Sequence, residues 1–156
     1  MEIQTMPAIN AICFSTKTSL KNLEAIVGTK AFALQAEATR LNLLISGPVY
    51  WFYFGADGKP DTEFTLEVVL PVSGKPAREI SNPEFFIKRV PPFTYVSVLH
   101  NGDWEQLPGT YQKIIGEVFA KGYQMLPSAE CRERYINIDF ENKEANITEV
   151  MIGVTS

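Results

Sequence analysis

The sequence predicts an α+β fold. It expects two copies of a strand-helix-strand-strand unit related by a pseudo-two-fold, a mostly antiparallel sheet, two main helices and a central cleft. Three observations lead there. The chain repeats itself once at a shift of 82 residues, which lays residues 67–72 on 149–154 and residues 20–42 on 102–124. Two long segments carry apolar residues at helical spacing. The remainder breaks into short runs rich in branched and aromatic residues, bounded by Gly, Pro, Asn and Asp. With 156 residues, the chain reads as a single domain made of two repeats, about 5–74 and 84–156.

Residues 6–16 form a β-type run (Ala-Ile-Asn-Ala-Ile-Cys-Phe). Thr18 or Ser19 can cap a helix starting near Leu20. Leu20, Leu23, Ile26, Val27, Leu34, Ala38 and Leu41 recur on its apolar face, and Gly28 permits a break. Gly47-Pro48 opens a strand over 49–54, and the turn formers of 56–61 lead to a return strand over 64–72. Residues 73–84, with Gly74, Pro76 and Pro83, read as the link between halves. Strands are expected over 85–90 and, after Pro91-Pro92, over 93–100. Asp103 can cap a helix over 104–120, whose stripe is Leu107, Tyr111, Ile114, Ile115, Val118 and Phe119, with Gly122 closing it. Strands over 132–138 and 148–154 finish the chain.

Composition excludes several function classes. Net charge is −4, and the only local basic pair is Arg132 and Arg134. Nucleic-acid binding needs clustered positive charge, so no direct nucleic-acid partner is expected. No apolar run reaches the roughly 18 residues that span a bilayer, and the N-terminus lacks the basic and apolar regions of a signal peptide. No membrane partner and a cytoplasmic location are therefore expected. Cys13 and Cys131 have no metal-ligand spacing with each other or with His100, the single histidine. No metal, cofactor motif or phosphate-binding loop is indicated, and oligomeric state leaves no signal.

The candidate chemistry centres on Glu133. It lies in Cys131-Arg132-Glu133-Arg134-Tyr135, where alternation puts Cys131, Glu133 and Tyr135 on one face and the arginines on the other. Cys and Tyr mark their face as the sheltered one, which makes the arginine face the wet one. A carboxylate on a sheltered face must be paired, hydrogen-bonded or protonated, because burying it alone costs several kcal/mol. That admits a ligand counter-charge or a general acid/base, and equally a carboxylate satisfied by an internal partner such as a tyrosine, or a reversed register.

By the repeat, Trp51 and Tyr53 are the mates of Glu133 and Tyr135. Two tyrosines, a tryptophan and a carboxylate on one seam suit flat, apolar and cationic compounds, through stacking and cation–π contact. Core packing is the competing reading for each ring. His100 and Trp104 flank a tight turn, where a histidine usually caps or packs. Glu63 and Glu67 read as a solvated face, and Met125 and Met151 as core filler.

His100-Asn101-Gly102-Asp103-Trp104, Thr110-Tyr111, Gly122, Glu133-Arg134-Tyr135 and the closing run 148–154 together resemble the GyrI-like family, the effector-binding domains also found at the C-terminus of AraC- and MerR-type bacterial regulators. Residues 6–72 look like that family's first half. The resemblance implies a tandem of α+β units with an aromatic cleft and a glutamate at its base. It places Glu133 as that glutamate and Tyr135 as its strand partner, with Tyr111, Trp51 and Tyr53 as walls and Trp104 and His100 at the edge. Family members bind cationic or lipophilic compounds, and some stand-alone relatives hydrolyse cyclopropane-bearing toxins with a cleft glutamate and tyrosine. Two positions depart from the pattern. Pro-Tyr after the glycine is Asp103-Trp104, which keeps an aromatic at the edge, and the closing Pro is Gly153, which is expected to loosen the last strand. Because no helix-turn-helix precedes the first strand, a free-standing binder is the leading expectation. A hydrolase with Glu133 as base and Tyr111 or Tyr135 steadying negative charge is the second, and an inhibitor that docks on a protein partner is the third.

Overall fold

The computed structural model describes residues 1–26 and 28–155. The elements run β1 (Gln4–Met6), β2 (Ile9–Thr18), a 3-10 turn (Leu20–Ala25), α1 (Thr29–Arg40), β3 (Leu44–Ile45), β4 (Tyr50–Phe54), β5 (Phe64–Ser73), β6 (Phe85–Val90) and β7 (Phe93–Asn101). A second 3-10 turn (Trp104–Gln106) leads into α2 (Leu107–Ala120), followed by β8 (Gln124–Met125), β9 (Glu130–Asn137), a third 3-10 turn (Lys143–Ala145) and β10 (Ile147–Thr155). The architecture is α+β, with two main helices on a curled antiparallel sheet.

The sheet order β1-β7-β10-β9-β4-β5-β2-β6 reads the same from both ends once each strand is exchanged for its repeat mate. β4 and β9 meet at the centre, and the two-fold passes between them. β1 precedes the first repeat but pairs with β7 of the second, while β6 precedes the second repeat and pairs with β2 of the first. Each half therefore covers the outer strand of the other, and β1 and β6 form the two edges of the sheet.

The expected first helix breaks into two. The 3-10 turn ends before Gly28, whose left-handed φ of 81° starts α1. Ser19 stands at the N-cap of the 3-10 turn, yet its hydroxyl caps no backbone amide and instead accepts from the Asn22 side chain at 3.1 Å. Leu34, Ala38 and Leu41 are buried as the stripe predicts, whereas Val27 lies outside the described residues. In α2, Ile114 and Val118 are buried, but Phe119 is 66% exposed and belongs to no core. Asp103 caps its 3-10 turn as expected, its carboxylate accepting from the Glu105 amide at 3.0 Å. The two-residue strands β3 and β8 went unread because neither carries a periodic pattern.

Both helices pack on one face of the sheet, α1 on the first half and α2 on the second. The opposite face has a core of its own, since the sheet curls until Cys13, Tyr50, Phe52, Val90, Phe93, Tyr95 and Met151 pack together. That curl overturns the expectation of a wet arginine face. Arg132 is 2% exposed, with its guanidinium between the Phe52 and Phe93 rings at 4.0 and 3.8 Å from their centroids and bonded to Glu130 at 2.7 Å. Glu67 is likewise no solvated carboxylate, because it pairs with Lys88 at 2.7 Å and is largely covered. Gly153 does not loosen β10. A Cβ there would stand 2.6 Å from the Leu126 side chain and 2.8 Å from the Glu130 carbonyl, so glycine allows the closest approach in the second half. Among the described residues no helix is long and apolar enough to cross a membrane.

Candidate functional site

The site lies where the repeats meet. β4 and β9 pair antiparallel with Trp51 directly opposite Glu133 and Tyr53 opposite Cys131. Directly opposed residues share a face, so Trp51, Tyr53, Glu133 and Tyr135 all point toward the helices. There α2 adds Tyr111. The reversed-register alternative is thereby removed.

Glu133 is 3% exposed. Tyr111 donates its hydroxyl to Oε2 at 2.6 Å, while Tyr53 donates to Oε1 at 3.1 Å and Tyr135 makes a short bond to the same oxygen. Tyr53 and Tyr135 are repeat mates, so one carboxylate near the two-fold takes a hydroxyl from each half. Burial pushes the Glu133 carboxyl above the ordinary glutamate range, and the three hydroxyls, with His100 nearby, pull it part of the way back. The same burial, reinforced by the carboxylate, raises all three phenols well above their usual value. Among the described residues no Lys, Arg or His nitrogen forms a salt bridge with Glu133.

Rings line the approach. Trp51 meets Tyr135 edge-to-face at 5.8 Å, Tyr135 meets Trp104 at 5.7 Å, and Trp104 meets Phe140 at 5.8 Å. Trp104 is fixed by its indole N–H, which donates to the Thr148 hydroxyl at 3.0 Å. Thr148 pairs with Tyr135 on one side and with His100 on the other, and so spaces the tyrosine from the histidine.

Of the seven residues singled out in the sequence, Glu133, Tyr53, Tyr111 and Tyr135 share one hydrogen-bond network, and Trp51 and Trp104 flank Tyr135. His100 stands apart. Its Nε2 donates to the Asp103 carbonyl at 2.8 Å, and its Nδ1 is hydrogen-bonded to the Thr110 hydroxyl at 2.7 Å. Both ring nitrogens thus secure the start of α2. Thr148 and Phe140 were missed. Thr148 lay unweighted within the closing run, and Phe140 is an isolated ring in a polar turn.

A hollow of about 470 Å³ opens beside His100, Thr110 and Lys113, and another of about 390 Å³ lies on the opposite sheet face beside Phe93 and Arg132. Glu133 lines neither, and its own tyrosines close over it. Among the described residues no group of three or more His, Cys, Asp or Glu side chains could hold a metal ion.

The fold, with its family match, places the chain among small-molecule-binding domains. Residues 1–155 match the GyrI-like small molecule binding domain, and the chain belongs to that family. Among curated proteins none matches the chain. Four of the solved structures similar in fold are these. EcmrR in its DNA complex superposes with a TM-score of 0.78 at 16% identity; 99% of this chain is covered but only 57% of that one, so the present chain spans little more than half of it. The isolated C-terminal domain of EcmrR gives 0.73 at 18% identity, with 99% and 96% covered. SAV2435 bound to tetraphenylphosphonium gives 0.69 at 10% identity, with 99% and 93% covered. A hydrolase encoded by lin2189 from Listeria innocua gives 0.65 at 15% identity, with 99% and 91% covered.

Proposed function

We propose that this chain binds a lipophilic aromatic cation between its two halves, with Glu133 as the counter-charge and Trp51, Tyr53, Tyr111, Tyr135 and Trp104 as the surrounding rings. One observation carries the reading: a carboxylate 3% exposed accepts three hydroxyl hydrogen bonds and has no cationic partner among the described residues. Hydroxyls satisfy its lone pairs without neutralising it, and a cation that displaces one of them would supply the missing charge in a low-dielectric site. Ring faces add cation–π attraction. That SAV2435 holds tetraphenylphosphonium on a similar fold supports the ligand class.

Calorimetry with tetraphenylphosphonium, against the neutral triphenylphosphine oxide, tests it. The cation should bind and the neutral compound should not, and Glu133→Gln should weaken the cation by about 2–5 kcal/mol, the usual loss when one partner of a buried charge pair is truncated. Equal binding to wild type and Glu133→Gln would end this reading.

A hydrolytic role for the same carboxylate is the second reading. It rests on the 2.6 Å bond between the Tyr111 hydroxyl and Glu133, and on a carboxyl raised by burial toward the range of a general base. In that role Glu133 takes a proton from water attacking an electrophilic carbon, and the tyrosines stabilise the departing oxyanion or alkoxide. Turnover of a strained electrophile that disappears in Glu133→Gln separates it from plain binding.

A further inference from the structure

We propose that Phe140 is the gate of the Glu133 site, and that ligands enter by swinging it off Trp104. The inference rests on the binding reading above. Phe140 is 52% exposed. It caps the ring series Trp51–Tyr135–Trp104–Phe140, in which every step is edge-to-face and which runs from the two-fold out to solvent. Its ring also reaches the other half: Cζ lies 3.9 Å from the position a Cβ would take on Gly28, at the start of α1. One ring thus lies between Trp104 of the second half and Gly28 of the first.

The segment that carries it is built to pivot. The Glu141 and Asn142 amides both donate to the Asp139 carboxylate, at 3.0 and 2.8 Å, so the tip holds its own shape. Its base is tied down, because the Asp139 amide donates to the Asn146 side chain at 2.6 Å and the Gly102 amide donates to the Asn146 carbonyl at 2.8 Å. Asn146 is buried and links this base to the turn that leads into Trp104. Among the described residues no hydrogen bond joins 139–142 to the first half. Opening therefore breaks no hydrogen bond to the first half among the described residues, and the ring returns to Trp104 once the ligand has passed.

Stopped-flow mixing with tetraphenylphosphonium, followed through the fluorescence of the two tryptophans, tests the gate. If the open state is a minor population, Phe140→Ala should raise the association and dissociation rates together by roughly tenfold and leave the equilibrium constant within about threefold. Phe140→Trp should slow both. An unchanged association rate in Phe140→Ala overturns the gate and leaves the Glu133 anchor standing. A ligand-free measurement judges the gate on its own, since acrylamide should quench tryptophan fluorescence several-fold faster in Phe140→Ala, and equal quenching also overturns it. If tetraphenylphosphonium binds neither wild type nor Phe140→Ala, the anchor fails instead, and the acrylamide result still decides the gate.

Discussion

Trp51 and Glu133 face each other across the central strand pair, and they are also repeat mates, 82 residues apart. An antiparallel pair in which mates oppose one another must contain the two-fold axis. The axis therefore runs through the candidate site, and the strongest break in the repeat lies on it. On the same face, Tyr53 and Tyr135 present two like groups about the axis. The Trp51/Glu133 pair presents one ring and one carboxyl. A symmetric site with two opposed glutamates would force one of them to stay protonated, whereas the broken pair keeps a single acid.

The raised Glu133 carboxyl gives stability a defined pH dependence. The unfolded chain releases this proton near the ordinary value of 4.5, while the folded protein holds it to higher pH. Folding therefore takes up a proton in that window, and stability should fall as pH rises from 4.5 through the raised value, then level off. Glu37 acts in the opposite sense. Its carboxyl is held down to about 2 by the Arg40 guanidinium at 2.8 Å and, more weakly, by Ser81, so its contribution is full above 4.5 and is lost as pH falls toward 2. In urea titrations across pH, Glu133→Gln should flatten the upper slope and Glu37→Gln the lower one.

Cation binding should follow the same proton. An aromatic cation favours ionised Glu133, so affinity should rise with pH through the raised value, and calorimetry in buffers of different ionisation heat should report a proton released on binding. Binding heats that are independent of buffer, with flat affinity, would show that Glu133 is already ionised in the free protein.

Arg132 should be a large single contributor to stability. Arg132→Ala leaves the Glu130 carboxylate without its partner and opens a gap between Phe52 and Phe93, at a cost of about 3–5 kcal/mol. Arg132→Met combined with Glu130→Gln keeps the volume without the charges, and should recover most of that loss in urea denaturation.

Gly153→Ala should destabilise by about 1–3 kcal/mol, because the new methyl meets the Glu130 carbonyl, Leu126 and Phe93 at under 3.0 Å and backbone must move. The melting temperature reads this directly.

The exchange of β1 and β6 predicts that the two repeats fold together. Residues 1–82 expressed alone lack β6 and retain β1 without its β7 partner, so the fragment should not give a cooperative transition. Mixed with residues 83–156, it should regain one, visible in the near-ultraviolet spectrum.

Much of this was legible in the sequence. The 82-residue repeat, the helical stripes and the Gly and Pro boundaries marked every long strand and both helices, because repeats and periodicities are local patterns. The face shared by Glu133 and Tyr135 followed from alternation alone, and four of the seven candidate residues meet at one carboxylate. The curl of the sheet was not legible. Arg132 and Glu67 read as solvent-facing because charge normally marks the wet side, and only the packing of Phe52 and Phe93 against a folded-over sheet supplies the low-dielectric surroundings and partners that bury them. Gly153 read as a weakness for the same reason, since close approach is a relation between distant segments.

By itself, then, the sequence determined a duplicated α+β unit with one acid set among aromatic residues, since residue type and spacing are enough to fix which side chains share a face. The tertiary structure decided that Tyr111 comes from α2 to complete the ring of donors, that His100 is spent on Thr110 and Asp103, that β1 and β6 change places, and that Phe140 closes over Trp104. Each of these is a contact between segments far apart in the chain, fixed by how the curled sheet brings its two halves face to face.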